Sequence, residues 1–236
     1  PAARKIYMAE DTEVTTELIE KLISDHKDEI ARIALLQDYY RGYASIYDRV
    51  KKDTKKPNNR LAAPYPSYIT DVLVGMHIGD PPTYSTFNED VKGLELIQKV
   101  FDFNDEQDEN FELSNFCSIT GKAYEIVYID KHKQIRFNEL DPKQVIYVYD
   151  DNINPEPLFA IYFIDVEGDR IIHVYERKTI RYFSGSPLTE FYIDEEGRRS
   201  STGTPKVNLL GKLPILECLN NTEILGDFER VLPLIN

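Results

Sequence analysis

The sequence predicts an α+β protein in which N-terminal helices pack with a mainly antiparallel sheet. Up to residue 120, apolar residues recur at the spacing of amphipathic helices. After Gly121 they alternate with polar residues, and β-branched and aromatic types dominate. Short polar turns join successive alternating runs, as in hairpins, and no strand-helix-strand order is present. The pattern therefore excludes Rossmann and TIM-barrel architectures.

Five helices are predicted in the first half of the chain. Thr15 or Thr16 caps the first, which carries Leu18, Ile19, Leu22 and Ile23 on one face. A second cap at Ser24 or Asp25 starts the next helix, which ends at Gly42. The third presents an apolar face made of Ile69, Val72, Leu73 and Met76. The third, fourth and fifth helices are predicted from Ser67 to Gly79, from Asn88 to Phe101 and from Asp108 to Ile119.

Seven strands are predicted after Gly121, because the apolar period changes from helical spacing to two. A polar loop at 198–205 follows them, and a last helix is predicted to begin after Asn220-Asn221-Thr222. The strands are expected near 123–129, 134–140, 145–149, 159–166, 171–175, 179–183 and 190–193.

The predicted organisation has three parts: a helical part over 1–120, a β-rich part over 121–220, and the start of a helix over 221–236. The chain opens on Pro1-Ala2-Ala3 without an initiator methionine, and its last predicted helix is uncapped at Asn236. We therefore expect residue 1 not to be the true start and further segments to follow Asn236.

Net charge, apolar runs and cysteine content limit the classes of function that this protein can have. The formal net charge of -13 argues against general nucleic-acid binding, so any DNA contact must be local. The longest apolar runs are strand-sized, so no membrane span is predicted. Cys117 and Cys218 form no CxxC pair, which fits a reducing compartment and excludes a disulfide framework or a Cys-rich zinc site. Both cysteines are expected in the core.

One basic segment stands out in this acidic chain. Residues 49–60 carry six basic side chains and Asp53, a local charge of +5. Such a cluster suits contact with DNA phosphates or with an acidic neighbouring subunit, although no aromatic residue lies within it to stack on a base. A plain solvated loop is the alternative. The candidate contact residues are Arg49, Lys51, Lys52, Lys55, Lys56 and Arg60.

An acidic run at 102–112 holds six carboxylates and no base. It lacks the glycine and the twelfth-position glutamate of a calcium loop, so a solvated loop and helix N-terminus is the favoured interpretation. A docking surface for a basic partner is the alternative. The four histidines are scattered and are assigned surface or packing positions, so no metal, cofactor or catalytic residue is predicted.

Four residues after Phe163 suggest one enzymatic alternative, a metal-dependent nuclease. Asp165 or Asp169, followed by Glu176 and Lys178, resembles the metal-binding carboxylates and Glu-x-Lys of restriction-type nucleases. Strand alternation would place Glu176 and Lys178 on one face beside a divalent ion. Asp169 is better explained as a turn residue after Gly168, and Glu-x-Lys is a common tripeptide in a chain that is 29% charged.

Several phrases together resemble one family, the portal proteins of tailed bacteriophages in the branch of the phage SPP1 portal. Tyr39-Tyr40-Arg41-Gly42 closes a helix, and a Pro-Asn-Asn-Arg-Leu segment begins at Pro57. The order of the phrases carries the resemblance, since local turn and cap chemistry explains each one alone. The other phrases are Tyr68-Ile69 with Asp71, Gly75, Gly79 to Tyr84, Val145 to Asp151, Pro157 to Tyr162, Tyr175, Gly211 to Ile215, Asn220-Asn221 and Asp227 to Ile235.

The resemblance implies a non-enzymatic wing region of a portal subunit. Family members form a ring, usually of twelve copies, at one capsid vertex of the virion, after assembly in the host bacterial cytoplasm. Through that ring the terminase motor drives duplex DNA, and the head-tail connector, capsid and scaffold proteins are the other expected partners. Clip and tunnel-lining segments are expected beyond Asn236. A metal-dependent nuclease and an acidic adaptor acting through 102–112 are the alternatives.

Overall fold

A computed structural model describes residues 5–43, 45–48, 63–87, 90–194 and 196–235. These residues form two compact units. The helical unit contains residues 31–123 and 218–235, and the sheet unit contains residues 5–30 and 124–217. The domain boundaries predicted from the sequence remain predictions.

The helices agree with the predicted order. Thr15 caps the first as expected, its hydroxyl oxygen accepting from the Leu18 N–H. Gly42 follows the second with φ +91, the left-handed conformation of a helix stop. Asp90 caps the fourth, whereas the predicted cap Asn88 lies outside the described residues. The helices are α1 (Thr16–Asp25), α2 (Lys27–Tyr40), α3 (Tyr65–Ile78), α4 (Val91–Asn104), α5 (Glu106–Thr120) and α6 (Leu232–Ile235).

The strands form two sheets. They are β1 (Ile6–Met8), β2 (Lys122–Ile129), β3 (Ile135–Leu140), β4 (Val145–Asp150), β5 (Pro157–Val166), β6 (Asp169–Glu176), β7 (Thr179–Ser184), β8 (Thr189–Ile193), β9 (Arg199–Ser200), β10 (Lys206–Val207) and β11 (Ile215–Leu219). The larger sheet has the order β1-β4-β5-β6-β7-β8-β9, with β10 also paired to β7. The smaller has the order β11-β2-β3. The α+β class and the mainly antiparallel pairing are therefore confirmed.

Each face of the larger sheet is covered within the sheet unit. Alternation along β4 to β7 sends one set of apolar side chains toward α1, where Ile19, Leu22 and Ile23 are buried. The other set faces β2 and the segment around Ile215, and includes Tyr147. These two clusters form the core of the unit, and the buried face of α1 belongs to the first of them.

The helical unit has its own smaller core. Leu36 and Tyr39 of α2 pack with Ile119 of α5 and with Phe228, which is fully buried. The segment after β11 is thereby fixed to the end of α5. Three short 3-10 helices, Ser45–Asp48, Pro142–Gln144 and Glu229–Val231, complete the described secondary structure.

Two sequence-based expectations about this fold were wrong. The last helix does not begin after Thr222: a 3-10 turn starts at Glu229 and α6 at Leu232. The Asn221 side chain accepts from the Glu223 and Leu225 N–H groups, which closes a side-chain turn in place of a first helical turn. The predictions also missed β1, β9, β10 and β11, of which β1 pairs in parallel with β4.

Candidate subunit interface

The six basic residues predicted to contact a neighbour or DNA lie outside the described residues. Their role remains a prediction, and the structure adds nothing to it. They are Arg49, Lys51, Lys52, Lys55, Lys56 and Arg60. The candidate site is built instead from the helices that follow them along the chain.

Helix α3 carries an exposed row of apolar side chains, which we call the α3 stripe: Tyr65, Tyr68, Val72 and Met76. Their spacing of three, four and four residues places them on one side of the helix. Tyr68 is 66% exposed and Met76 is 80% exposed. Large apolar side chains in a continuous exposed row are typical of protein-contacting surfaces.

The opposite side of α3 is the one that packs. Pro66, Thr70 and Val74, at intervals of four residues, are buried. The sequence had predicted Ile69, Val72, Leu73 and Met76 as the core face. That prediction was wrong for the last three, which are exposed, while Ile69 packs against the small core around Phe228. Helix α3 thus has two faces suited to contact, of which the chain itself covers one.

Helix α4 is even less covered. Asn104 is its single buried residue among those described, although half of the helix is apolar. Val91, Leu96, Ile97 and Phe103 are all exposed. Burial of apolar area stabilises a protein by about 25 cal/mol per Å². The apolar side chains of α3 and α4 that are exposed in the described part of the chain would gain this stabilisation by burial against another protein.

The acidic run lies where α4 meets α5. Asp105 sits between the helices in the left-handed conformation, and Glu106, Asp108 and Glu109 form the first turn of α5. The structure shows the predicted helix N-terminus at Glu106, where carboxylates suit the helix dipole, but Asp102 lies in the last turn of α4 and not in a loop. The choice between a solvated surface and a docking surface stays a prediction. Phe103 and Phe111 are exposed beside these carboxylates.

A second concave surface belongs to the sheet unit. It is an open groove of about 300 Å³, which we call the β6–β7 groove, with Ile126, Tyr128, His173, Tyr182, Val207 and Leu209 in its lining. His173 and Tyr182 face each other on neighbouring strands with ring centroids 4.9 Å apart. Tyr162 flanks His173 from β5, so an aromatic ladder crosses the sheet.

Burial and the nearby cations Arg199 and Lys206 lower the pKa of His173 from 6.5 to about 4. Its Nδ1 lies 3.2 Å from the Tyr175 hydroxyl oxygen. The imidazole is therefore neutral at physiological pH, and the floor of the groove is aromatic and uncharged.

We expect the sheet unit to lose about 2 kcal/mol of stability between pH 6.5 and pH 4 through His173. Below pH 6.5 the His173 imidazole of the unfolded chain binds a proton, whereas that of the folded protein stays neutral until about pH 4. Acid therefore favours unfolding. The free energy given is smaller than the full pKa difference of His173 would supply, because the imidazole is partly in contact with solvent. Urea denaturation at pH 7, 5 and 4 should show a shallower pH dependence in His173→Gln. His132→Gln, in an exposed turn, should keep the native dependence. Identical slopes in all three proteins would refute the assignment.

The nuclease residues are not brought together. Arg170 donates two hydrogen bonds, of 2.9 and 3.1 Å, to the Asp165 carboxylate. Asp165 and Asp169 lie at the turn of the β5–β6 hairpin, while Glu176 pairs with Phe159 at its far end, about 20 Å along the strand. Lys178 lies in the next turn. This arrangement contradicts the proposed metal site.

Other sequence-based candidates occupy ordinary positions. His26 is buried with its ring edge-on to Phe163, and His77 is exposed beside Ser114. Cys117 is half-buried, but the prediction of a core position was wrong for Cys218, which is exposed because it shares the outer side of the edge strand β11 with Leu216.

Across the described ranges, no three His, Cys, Asp or Glu side chains are grouped to hold a metal ion. No helix in those ranges has the length and apolar character needed to cross a membrane.

Sequence reasoning missed the α3 stripe as a site, although its spacing is visible once Tyr65 and Tyr68 are counted with Val72 and Met76. It could not have found the β6–β7 groove. That surface combines β2, β6, β7 and the segment after β10, which are brought together by the fold alone.

Comparison with known proteins identifies the family. The family described as "Phage portal protein, SPP1 Gp6-like" matches residues 19–236. The portal protein of Bacillus phage SPP1 is 23% identical over 248 residues, a match that covers 96% of this chain and 48% of that protein. The chain therefore spans about half the length of the curated relative it matches. Since the family match includes nearly all of the sequence, this chain belongs to the SPP1 Gp6-like family of phage portal proteins.

Proposed function

We propose that this protein is a structural subunit of the portal ring at a phage capsid vertex. The ring would be the conduit for DNA during packaging and ejection and the point where head and tail join. The observation that carries the proposal is the family match over residues 19–236. The α+β fold with a mainly antiparallel sheet is compatible with the wing region that the resemblance implied, and no reaction is assigned to the chain.

The exposed helical surfaces support assembly into a ring. A closed ring needs heterologous contacts, in which one surface of each subunit meets a different surface of the next. The α3 stripe and the exposed residues of α4 both present apolar side chains to solvent on the helical unit. We assign these residues to the contact between neighbouring subunits.

The expected partners follow from the ring. They are the other copies of the chain, twelve in all, the terminase motor, the head-tail connector, and the capsid and scaffold proteins. The ring would assemble in the host cytoplasm and reside in the virion. A net charge of -13 suits a conduit that passes DNA without gripping it, and any phosphate contact is assigned to residues 49–60.

We expect the double substitution Tyr68→Glu and Met76→Glu to abolish ring assembly. Two carboxylates in a contact that must exclude water would remain charged and unpaired, which is costly. Mass photometry and negative-stain imaging of the protein as its gene encodes it should show closed rings, and the double variant should be monomeric.

Ile153→Glu is the matched control, because Ile153 is an apolar side chain with full exposure on a turn of the sheet unit. It should assemble normally. A native protein that remains a monomer or dimer at micromolar concentration would refute the ring. Normal rings from the double variant would instead remove the α3 stripe from the subunit contact.

A further inference from the structure

The β6–β7 groove is an apolar cavity with a positive rim in a strongly acidic chain. Lys206 is the one ionised side chain among the described residues that line it. Arg199 lies close enough, with Lys206, to disfavour protonation of His173. Val207 and Leu209, at the groove edge, are 64% and 76% exposed. This groove is therefore suited to bind an apolar side chain that has carboxylates next to it.

A surface of that chemistry exists on the same chain. The acidic aromatic surface, where α4 meets α5, presents Phe103 at 51% exposure and Phe111 at 43% exposure. Asp102, Asp105 and Asp108 surround these rings in the sequence and are solvent-exposed. The two surfaces have opposite charge, and each exposes large apolar side chains to solvent.

We propose that the β6–β7 groove of one subunit receives the acidic aromatic surface of the next, with Phe103 as the inserted side chain. The inference rests on the ring proposed above and specifies one of its contacts. It satisfies the requirement that a ring interface join two different surfaces. Aromatic side chains buried in pockets commonly dominate binding energy, and opposite charges at the rim set orientation and partner choice.

The groove chemistry favours this occupant. The floor around His173 is uncharged, so a phenyl ring would displace water from aromatic surface without meeting a buried ion. Lys206 and Arg199 at the rim would then pair with carboxylates that stay partly solvated, which avoids the cost of burying charge. A basic or neutral partner would supply no carboxylate to Lys206 or to Arg199, whose guanidinium lies over the Phe191 ring. Another acidic virion protein is tested below as the competing occupant.

Cysteine cross-linking tests the contact directly. The variant Phe103→Cys with Leu209→Cys, in the protein as its gene encodes it, should give a ladder of disulfide-linked copies after mild oxidation on non-reducing gels. The matched controls are the two single-cysteine variants, which cannot link into a chain through these positions. Their products give the background from Cys117 and Cys218.

Charge reversal provides a second readout. Lys206→Glu with Arg199→Glu should raise the concentration needed for half-maximal assembly about tenfold or more, and adding Asp102→Lys with Asp105→Lys should restore it. Closed rings that give no ladder of disulfide-linked copies, and whose assembly is not restored by Asp102→Lys with Asp105→Lys, would overturn this contact. The portal proposal would be unaffected. In assembled virions that carry the same double-cysteine variant, cross-links only to another virion protein would overturn the second copy as occupant. A ladder from a protein that forms no closed ring would support the contact while refuting the ring.

Discussion

Gly121→Ala is expected to destabilise the helical unit by about 4 kcal/mol. Gly121 ends α5 with φ +87, where an alanine costs about 1 to 2 kcal/mol. A Cβ atom there would also lie 2.4 Å from the Ile224 carbonyl oxygen and 2.7 Å from the Leu225 nitrogen. Those are backbone atoms that no side-chain rotation can move aside, so the segment after β11 must leave the end of α5. Urea denaturation followed by far-ultraviolet circular dichroism measures the loss.

Gly42→Ala separates backbone strain from the clash. Gly42 also ends a helix of the same unit, with φ +91, but no atom of the described residues lies within 4 Å of its added Cβ. Its alanine variant should lose only about 1 to 2 kcal/mol, the cost of the left-handed conformation alone. Equal losses at Gly42 and Gly121 would show that the close approach to Ile224 contributes nothing.

The strands were predictable because their signal is local. Alternation and turn residues placed all seven predicted strands within two residues of their observed bounds, as at Thr179–Ser184. Gly168, with φ +91, occupies the turn expected between β5 and β6. The strand β1 has three residues and pairs with β4 about 140 positions away. A pairing of that range leaves no local pattern, which explains why it was missed.

The faces of α3 show what periodicity leaves open. The sequence predicts a helix with an apolar row, and that row exists, but it is exposed. The packed row contains Pro66 and Thr70, whose types are usually assigned to the surface. Hydropathy identifies the more apolar row, whereas burial depends on which row another element covers. The same limit applies to α1, whose apolar face packs in the cluster that includes strand residues of the larger sheet.

The position of the segment after β11 also depends on contacts between distant residues, which cannot be predicted from the sequence. Arg32, on α2, donates hydrogen bonds of 3.1 Å each to the Thr120 and Ile224 carbonyl oxygens. It also holds the Glu229 carboxylate with two nitrogens, Nε at 2.8 Å and Nη2. The Arg32 and Glu229 side chains are 8% and 18% exposed. One guanidinium thus joins α2, the end of α5 and the last described segment of the helical unit, a bidentate geometry that lysine cannot reproduce.

We therefore expect Arg32→Met to lower the stability of the helical unit by about 3 to 5 kcal/mol. Methionine keeps the volume of the side chain but leaves the Glu229 carboxylate buried without its cation and two carbonyl groups without their donor. Arg230→Met is the matched control, because its ion pair with Glu223 is exposed on both sides and worth no more than about 1 kcal/mol. Adding Glu229→Met to Arg32→Met should recover part of the loss, since it removes the buried unpaired charge. Equal shifts of the urea midpoint in Arg32→Met and Arg230→Met would show that Arg32 does not stabilise the segment after β11. The packing of Phe228 would then be what keeps that segment in place.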